Sequence, residues 1–361
     1  MAASRDGAPP AVHSPQLDGL RAGAVAAVAW SHWLPEWQFG VPLGAGVHLF
    51  FVLSGFLITR ILLGLRAAPD RGAAIGRFYL RRALRLFPAF YLVLGVAVWA
   101  DVPLARATWP WHAGYLSNVF IAGLGEWQGH LSHFWSLAVE EQFYLVWPWL
   151  IVFVPVRWLP WLIGGTVLLG PAARLLAAWR GLGESFWALV PAGSADSLGL
   201  GAWLAWAIWQ RPVSVPTLAR GRVAGVALIG WLALAMLDRL APLPAAVASG
   251  RQLLQGIVFA WIVAGAARGF TGGAGAWIGH AAIRYVGRIS YGVYLIHAFA
   301  PVVVFAAARA AGVDALIPPS PAGRAALYAA TTLGLAALMW RLVEQPVLRL
   351  KARVPYVAAR A

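Results

Sequence analysis

Three stretches of this sequence place ionisable side chains inside apolar surroundings. The first is residues 17–33, LDGLRAGAVAAVAWSHW, in which Arg21 and His32 are eleven residues apart. At 100° per residue the pair differs by roughly 20° in azimuth and roughly 16 Å along a helix axis. A guanidinium near one end and an imidazole deeper in the membrane would then look into one cavity. Histidine is the side chain best suited to take a proton from a hydroxyl at neutral pH. The structural alternative is a satisfied core histidine and an arginine reaching the interface. The second stretch is residues 78–88, FYLRRALRLFP, with Arg81, Arg82 and Arg85 before a proline that should start the next span. Arg82 and Arg85 share a face, and planar guanidinium groups match phosphate oxygens. The same cluster would equally anchor topology. The third is residues 133–148, HFWSLAVEEQFYLVWP. There Glu140 and Glu141 stand at the mouth of an apolar run, where an unpaired carboxylate is costly and a partner is expected. A carboxylate beside His32 would raise its basicity or fix its tautomer.

Other polar positions read first as structure. Ser54-Gly55, within 46–59 (GVHLFFVLSGFLIT), suits close helix packing. Tyr291, Tyr294 and His297 form an i, i+3 stripe within VGRISYGVYLIH, suited to hydrogen bonds between helices. Glu344, ahead of Pro346, reads as a helix end with a buried ion pair. His130, His133 and Glu140 have a spacing that could bind a metal, but no further ligand converges and no metal is expected.

The elements that must hold these residues follow from composition. Of 361 residues, 61% are hydrophobic and only 11% charged, with a mean hydropathy of +0.70. Soluble domains carry about 25% charged residues. The sequence is therefore read as an all-α, polytopic membrane helix bundle and not as a cytosolic enzyme, a fibre or a disordered chain. Apolar runs near 17–35, 44–64, 86–101, 142–156, 158–176, 191–209, 222–237, 252–268, 289–309 and 324–343 give about ten spans. Several carry Gly, Pro or polar residues, which suits spans that line a cavity. With an inside N-terminus, 21 of the 28 basic residues fall on the cytoplasmic side and 7 outside, so both termini are expected to be cytoplasmic. The expected division is a tail at 1–16, a membrane domain at 17–345 and a second tail at 346–361. The first 16 residues lack the apolar core of a cleavable signal, so the first span is expected to act as its own insertion signal. Residues 271–275 (TGGAG) read as a flexible loop. The Trp-rich segment 102–141 is expected at the outer interface.

The formal net charge of +15 would suggest nucleic acid in a soluble protein. In a polytopic protein it reads as topology and contact with lipid headgroups, and no nucleic-acid partner is expected. Of the basic residues only Lys351 is a lysine. The absence of cysteine excludes a thiolate nucleophile, thiolate metal sites and a cysteine-linked acyl intermediate.

In order along the chain, LDGLR with His32 eleven residues after the arginine, FFVLSGFLIT, RRALRLFP, FWSLAVEEQFYLVWP, GRISYGVYLIH and VEQP together resemble the acyltransferase-3 family of membrane O-acyltransferases. The resemblance covers residues 17 to about 350. It implies a ten-helix bundle that moves an acyl group, commonly acetyl, from acyl-CoA to a hydroxyl of a sugar, polysaccharide or glycoside. It implies that His32 is the essential histidine, that Arg21 is its paired arginine, and that Arg82 and Arg85 serve the donor; Arg81 and Arg77 are expected to help hold the donor's phosphates. His32 would act as base or as acyl relay, and Glu140 or Glu141 would orient it. Some members carry an extracytoplasmic hydrolase-like domain, and none is expected here. This sequence departs from the family pattern at His48, where an aspartate is usual. The expected setting is the bacterial inner membrane. The other function considered is a transporter or flippase for an anionic or glycosylated substrate, which would use cavity-facing Arg, His and Glu too. No inverted repeat supports it, and a non-catalytic scaffold leaves the buried ionisable residues unexplained.

Overall fold

A computed structural model describes residues 14–37, 42–127, 129–182, 190–210, 221–241 and 243–356. Most of the expected N-terminal tail, with Arg5, and also Arg211, Arg220 and Arg360, lie outside the described residues. Among those described, the secondary structure is helical throughout. The helices are α1 (Pro15–Trp33), α2 (Gly46–Leu65), α3 (Arg71–Trp99), α4 (Ala105–Ala113), α5 (Ser117–Leu124), α6 (Phe134–Phe153), α7 (Leu159–Trp179) and α8 (Ala195–Gln210). They continue as α9 (Gly221–Leu240), α10 (Ala245–Arg268), α11 (Gly272–Ile278), α12 (Ala281–Arg288), α13 (Ser290–Ile296), α14 (Ala300–Ala311), α15 (Pro321–Met339) and α16 (Gln345–Ala352).

Among the described residues, seven stretches are long and apolar enough to cross a membrane: Leu43–Leu65, Arg71–Trp99, Val156–Trp179, Gly221–Leu240, Ala246–Arg268, Ser290–Ala311 and Pro321–Lys351. The protein is an integral membrane protein on this ground, and the expected count of about ten is not confirmed. The three missing runs are helical, as α1, α6 and α8, yet each is polar or short. α1 carries Asp18, Arg21 and His32, and α6 carries Glu140, Glu141 and Gln142. α8 has 16 residues, about 24 Å of helix against a hydrocarbon core of about 30 Å. Their burial explains the polarity. Ten residues of α8 and nine of α1 are buried inside the protein, so these helices spend little surface on lipid. α7 shows the opposite design. Trp161 and Trp179 are 74% and 77% exposed and stand roughly 27 Å apart along the helix, matching two interfacial aromatic belts.

The centre is set by small residues. A Cβ on Gly55 of α2 would lie 2.0 Å from the Leu198 carbonyl oxygen, and one on Gly201 of α8 would lie 2.1 Å from that of Val52. The two backbones therefore touch, as Ser54-Gly55 suggested. Gly287 plays the same part between α12 and α1, where a Cβ would meet the Asp18 carbonyl. Around this seam pack Leu53, Phe56, Leu200 and Val263 on one side and Val28, Phe51, Phe134 and Leu295 on another.

Three local expectations are corrected. Pro88 does not begin a span but lies inside the continuous helix α3. Residues 271–275 are not a loose loop, because Gly272 begins α11 and the Gln16 side-chain amide bonds Phe270 and Gly275 carbonyls at 2.9 and 3.3 Å. The run 289–309 is broken: α13 ends at Ile296, and a 3-10 turn at His297–Phe299 precedes α14. The segment after α3 folds into α4 and α5 with Trp109, Trp111 and Trp127 exposed. There His112 is buried between Thr108 and Ser117, and burial pulls its imidazole down to about 4, so it is a neutral structural group.

Candidate active site

Polar groups collect around two cavities at opposite ends of α1. The first, about 420 Å³, is lined by Arg21, Arg82, Arg85, Arg288 and Lys351 against the carboxylates of Asp18 and Glu140. Five cations face these two carboxylates, and Glu141 and Glu344 stand behind them. Three of the four arginines are held by carboxylates. Arg21 pairs with Asp18 at 2.8 Å, one helical turn earlier. Arg82 meets Glu141 at 3.3 Å and lies 3.9 Å over the Tyr144 ring, while its buried Nε has no partner among the described residues. Arg85 donates to Glu344 at 3.0 Å, and that carboxylate is 1% exposed. Glu344 reaches Arg85 because the helix widens into a π turn over Trp340–Glu344. Arg288 and Lys351 have no ion pair among the described residues, and the sequence reading had assigned both only to topology.

Arg81 takes no part in lining this cavity. Its guanidinium donates to the carbonyls of Lys351 (3.1 Å) and Val354 and lies 4.2 Å over Tyr356. Arg77 bonds the Tyr356 carbonyl at 3.5 Å. These two arginines fasten the C-terminal stretch to α3. Arg85 is i+4 from Arg81 and i+3 from Arg82, so spacing alone does not separate the roles of Arg81 and Arg82.

The second cavity, about 450 Å³, is lined by Ser31, His32, His48, Trp231, Arg251, Gln252 and Gln255, among others. His32 is exposed here. Its Nδ1 stands 2.9 Å from the Val28 carbonyl, which only accepts, so Nδ1 carries the proton and Nε2 keeps its lone pair. The His48 ring, where the family pattern has aspartate, meets Ser197 Oγ at 3.2 Å on the same wall.

Arg21 and His32 therefore do not share one cavity, although they share a helix face. Glu140 and Glu141 do not touch His32 either. Glu140 accepts a 2.5 Å bond from Ser54, and Glu141 serves Arg82. The neighbour of His32 is another histidine. His297 Nε2 lies 3.4 Å from His32 Nδ1, with ring centroids 5.0 Å apart. His297 donates its own Nδ1–H to the Tyr294 carbonyl at 2.6 Å, which leaves Nε2 as an acceptor. On its far side stands His133, centroid 5.0 Å away, with Nδ1 and Nε2 facing the carbonyls of His130 and Leu295. Tyr294 donates to the His133 carbonyl, accepts from Ser136, and lines the arginine cavity. A column of rings thus bridges the two cavities. Among the described residues no group of three or more His, Asp or Glu is arranged to hold a metal.

Long apolar helices, one cavity lined by cations and a second lined by His32, with aromatic and imidazole rings between them, define a polytopic membrane protein with polar groups inside its bundle. A family model described as an acyltransferase domain matches residues 14–341, and the chain belongs to this acyltransferase-3 family. Peptidoglycan O-acetyltransferase OatA of Listeria monocytogenes is 38% identical over 158 residues, 39% of this chain and 24% of that protein. Putative peptidoglycan O-acetyltransferase YrhL of Bacillus subtilis is 36% identical over 154 residues, 38% and 24% of the two chains. A putative O-acetyltransferase of Staphylococcus aureus is 38% identical over 158 residues, 39% and 25%. The matched segment spans about a quarter of each relative. No solved structure matches.

Proposed function

We propose that the chain transfers an acetyl group from acetyl-CoA to a hydroxyl of a peptidoglycan-like polysaccharide. The observation that carries this reading is the pairing of an anion cavity with a second cavity holding a basic imidazole nitrogen. The CoA phosphates sit on Arg82 and Arg85, with Arg288 and Lys351 adding charge, and the unpartnered Arg82 Nε is a donor ready for a phosphate oxygen. The pantetheine arm runs past Arg21 along α1. At the other end His32 Nε2 removes the proton of the acceptor hydroxyl as its oxygen attacks the thioester carbonyl. The C–S bond then breaks, and the CoA thiolate leaves and takes up the proton. A hydroxyl is a poor acid near neutral pH, so the base is required. In the variant route His32 Nε2 is itself acylated and passes the acyl group on. The relatives' names support acetyl as the group and peptidoglycan as the acceptor. On this reading the first cavity opens to the cytoplasm, where acyl-CoA is found, and the basic residues around it support that orientation through the positive-inside rule.

The test is thiol release from acetyl-CoA by purified protein with a polysaccharide acceptor. The sequence has no cysteine, so every thiol detected is product. His32→Ala is expected to abolish release while expression and insertion persist, and full activity would remove His32 from the mechanism. Labelled saccharide that crosses vesicles unmodified, with no thiol released, would favour the transporter instead.

A further inference from the structure

The cavity beside His32 has a second imidazole in its wall, and the two rings carry their protons on opposite nitrogens. His48, on α2, is partly buried and lines this cavity together with His32. Its Nδ1 stands 3.2 Å from the Ser197 hydroxyl. Ser197 is fully buried, and among the described residues that hydroxyl has no other hydrogen-bond partner. A buried hydroxyl donates to the acceptor within its reach, so Ser197 Oγ–H donates to His48 Nδ1. An imidazole that accepts at Nδ1 holds its proton on Nε2. His32 is the reverse, with Nδ1–H on the Val28 carbonyl and a lone pair on Nε2.

His48 Nε2–H is also open. It has no partner among the described residues and keeps accessible surface, unlike Trp231 Nε1 and Gln255 Nε2 on the same wall, which are buried. Three other side-chain donors of the cavity are engaged: Ser31 on the Val28 carbonyl at 2.7 Å, Arg251 on Asp238 at 2.8 Å, and Gln252 on the Gly193 carbonyl at 3.0 Å. The ring is held in place. Ser197 N–H donates to Asp196 at 2.8 Å, and Asp196 pairs with Arg174 at 2.7 Å. Phe51 meets the His48 ring edge to face at 5.7 Å. α1 closes on this end of α2, since a Cβ on Gly46 would lie 2.4 Å from the Ala24 carbonyl oxygen. The two rings thus stand on adjoining helices around a space of about 450 Å³. A compact space of that size is roughly 10 Å across, and one tetrahedral carbon can be hydrogen-bonded through its oxygens to a base and a donor about 7 Å apart.

We propose that His48 is a second catalytic residue, whose Nε2–H hydrogen-bonds the thioester carbonyl oxygen as that oxygen becomes an oxyanion. The proposal rests on the acyl-transfer reading above and adds the charge stabilisation that His32 alone does not supply. His32 Nε2 takes the hydroxyl proton, the hydroxyl oxygen bonds the carbonyl carbon, and the C=O π pair moves onto the carbonyl oxygen, about 2.7–3.1 Å from His48 Nε2. When C=O re-forms, the C–S bond breaks and the thiolate takes the proton from His32. The His48 proton stays on Nε2 throughout. Ser197 is then a positioning residue, because its hydroxyl fixes the tautomer. The aspartate usual here in the family pattern would present acceptors, so this donor is a property of this chain.

The experiment compares wild type with His48→Phe, His48→Gln and Ser197→Ala, using acetyl-CoA and chitopentaose, a soluble N-acetylglucosamine oligomer. His48→Phe keeps a ring without a donor and is expected to lower kcat about 100-fold or more, with both KM values within about threefold. His48→Gln restores an N–H donor but no base and is expected to recover at least about tenfold of that loss. In a second arm without substrates, protein labelled with ¹⁵N-histidine is examined by NMR, and the His48 signals are those missing from His48→Gln. The expected spectrum shows Nε2–H with a bare Nδ1 in wild type and a mixture of tautomers in Ser197→Ala. Equal loss in the Phe and Gln variants would make His48 a base or a packing residue and overturn the proposal. So would full activity of His48→Phe, a change in KM without kcat, or an Nδ1–H tautomer in wild type. Each of these leaves the acyl-transfer reading standing, because wild type still releases thiol. No thiol release by wild type overturns both.

Discussion

At the scale of single residues, the site is built from groups that other groups hold, and this decides which substitutions are informative. Arg85 both faces the anion cavity and neutralises Glu344, which is 1% exposed. Arg85→Ala strands that carboxylate, and breaking a buried pair in this way costs about 3–5 kcal/mol. The expected outcome is a marked drop in melting temperature and folded yield, which would mask any donor effect. Arg85→Lys keeps the charge and loses the planar fork. It is expected to raise the acetyl-CoA KM about tenfold with the acceptor KM unchanged, read by initial rates at fixed acceptor. His297 is the second informative residue, because its Nε2 helps fix the ring of the proposed base. His297→Ala is expected to lower kcat roughly 10- to 100-fold through misplacement, with both KM values little changed. His297→Gln, whose side-chain oxygen also accepts, is expected to recover most of that loss. Equal damage from both variants would make His297 a packing residue only. The sequence makes His32 and the arginines visible because ionisable residues in apolar runs are costly. It does not show that Glu140 and Glu141 serve Ser54 and Arg82, since partners contributed by other helices leave no trace in local spacing.

The elements carry a different logic, in which backbone approach and helix irregularity do the positioning. α2 and α8 meet where Gly55 and Gly201 let carbonyls come within van der Waals range. Gly201→Val has no space, since even its Cβ would lie 2.1 Å from the Val52 oxygen. Overpacking of this kind costs about 1–3 kcal/mol or more, and the two helices hold Ser54 and Ser197 against both cavities. A lower melting temperature in detergent and reduced transfer are expected together, whereas an unchanged melting curve would show that the seam is not tight. The π turn at Trp340–Glu344 is the second device. Deleting Leu342 there would remove the extra residue and rotate Glu344 by about 100° away from Arg85. The loss of stability should then match that of Arg85→Ala, and the double variant should be little worse than either alone. Seven of the expected runs stand out because their outer faces meet lipid and are therefore apolar along their length. α1, α6 and α8 fall below that measure because α1 and α6 carry charged residues that line cavities and α8 is short and largely buried. The breaks and widenings that aim His297 and Glu344 were not visible, because neither a 3-10 turn nor a π turn changes the composition of a run.

For the whole molecule, the question is which cavity meets the cytosol, since acyl-CoA is confined there. The proposed orientation starts from the basic residues, whose count favours the loop between α2 and α3, with Arg66 and Arg71, on the inner side. Arg77 and Arg81 then tie the C-terminal stretch around Val354 and Tyr356 to the start of α3, so the basic C-terminus shares that side. Arg82, Arg85 and Lys351 belong to the same end, and with them the anion cavity. His32 lies roughly 16 Å further along α1 from Arg21, toward the loop before α2. On the proposed orientation the His32 cavity would face outward, where a cell-wall polysaccharide would be. A sequence without cysteine makes this directly measurable, because any single introduced thiol is the sole target for a maleimide. Ala67, between α2 and α3, and Ala315, between α14 and α15, are both exposed and away from the site. In sealed spheroplasts, a membrane-impermeant maleimide is expected to label Ala315→Cys at once and Ala67→Cys only after permeabilisation. The reverse pattern would turn the arginine cavity away from the cytosol and leave acetyl-CoA no route to it. That single result would rule out the proposed donor route.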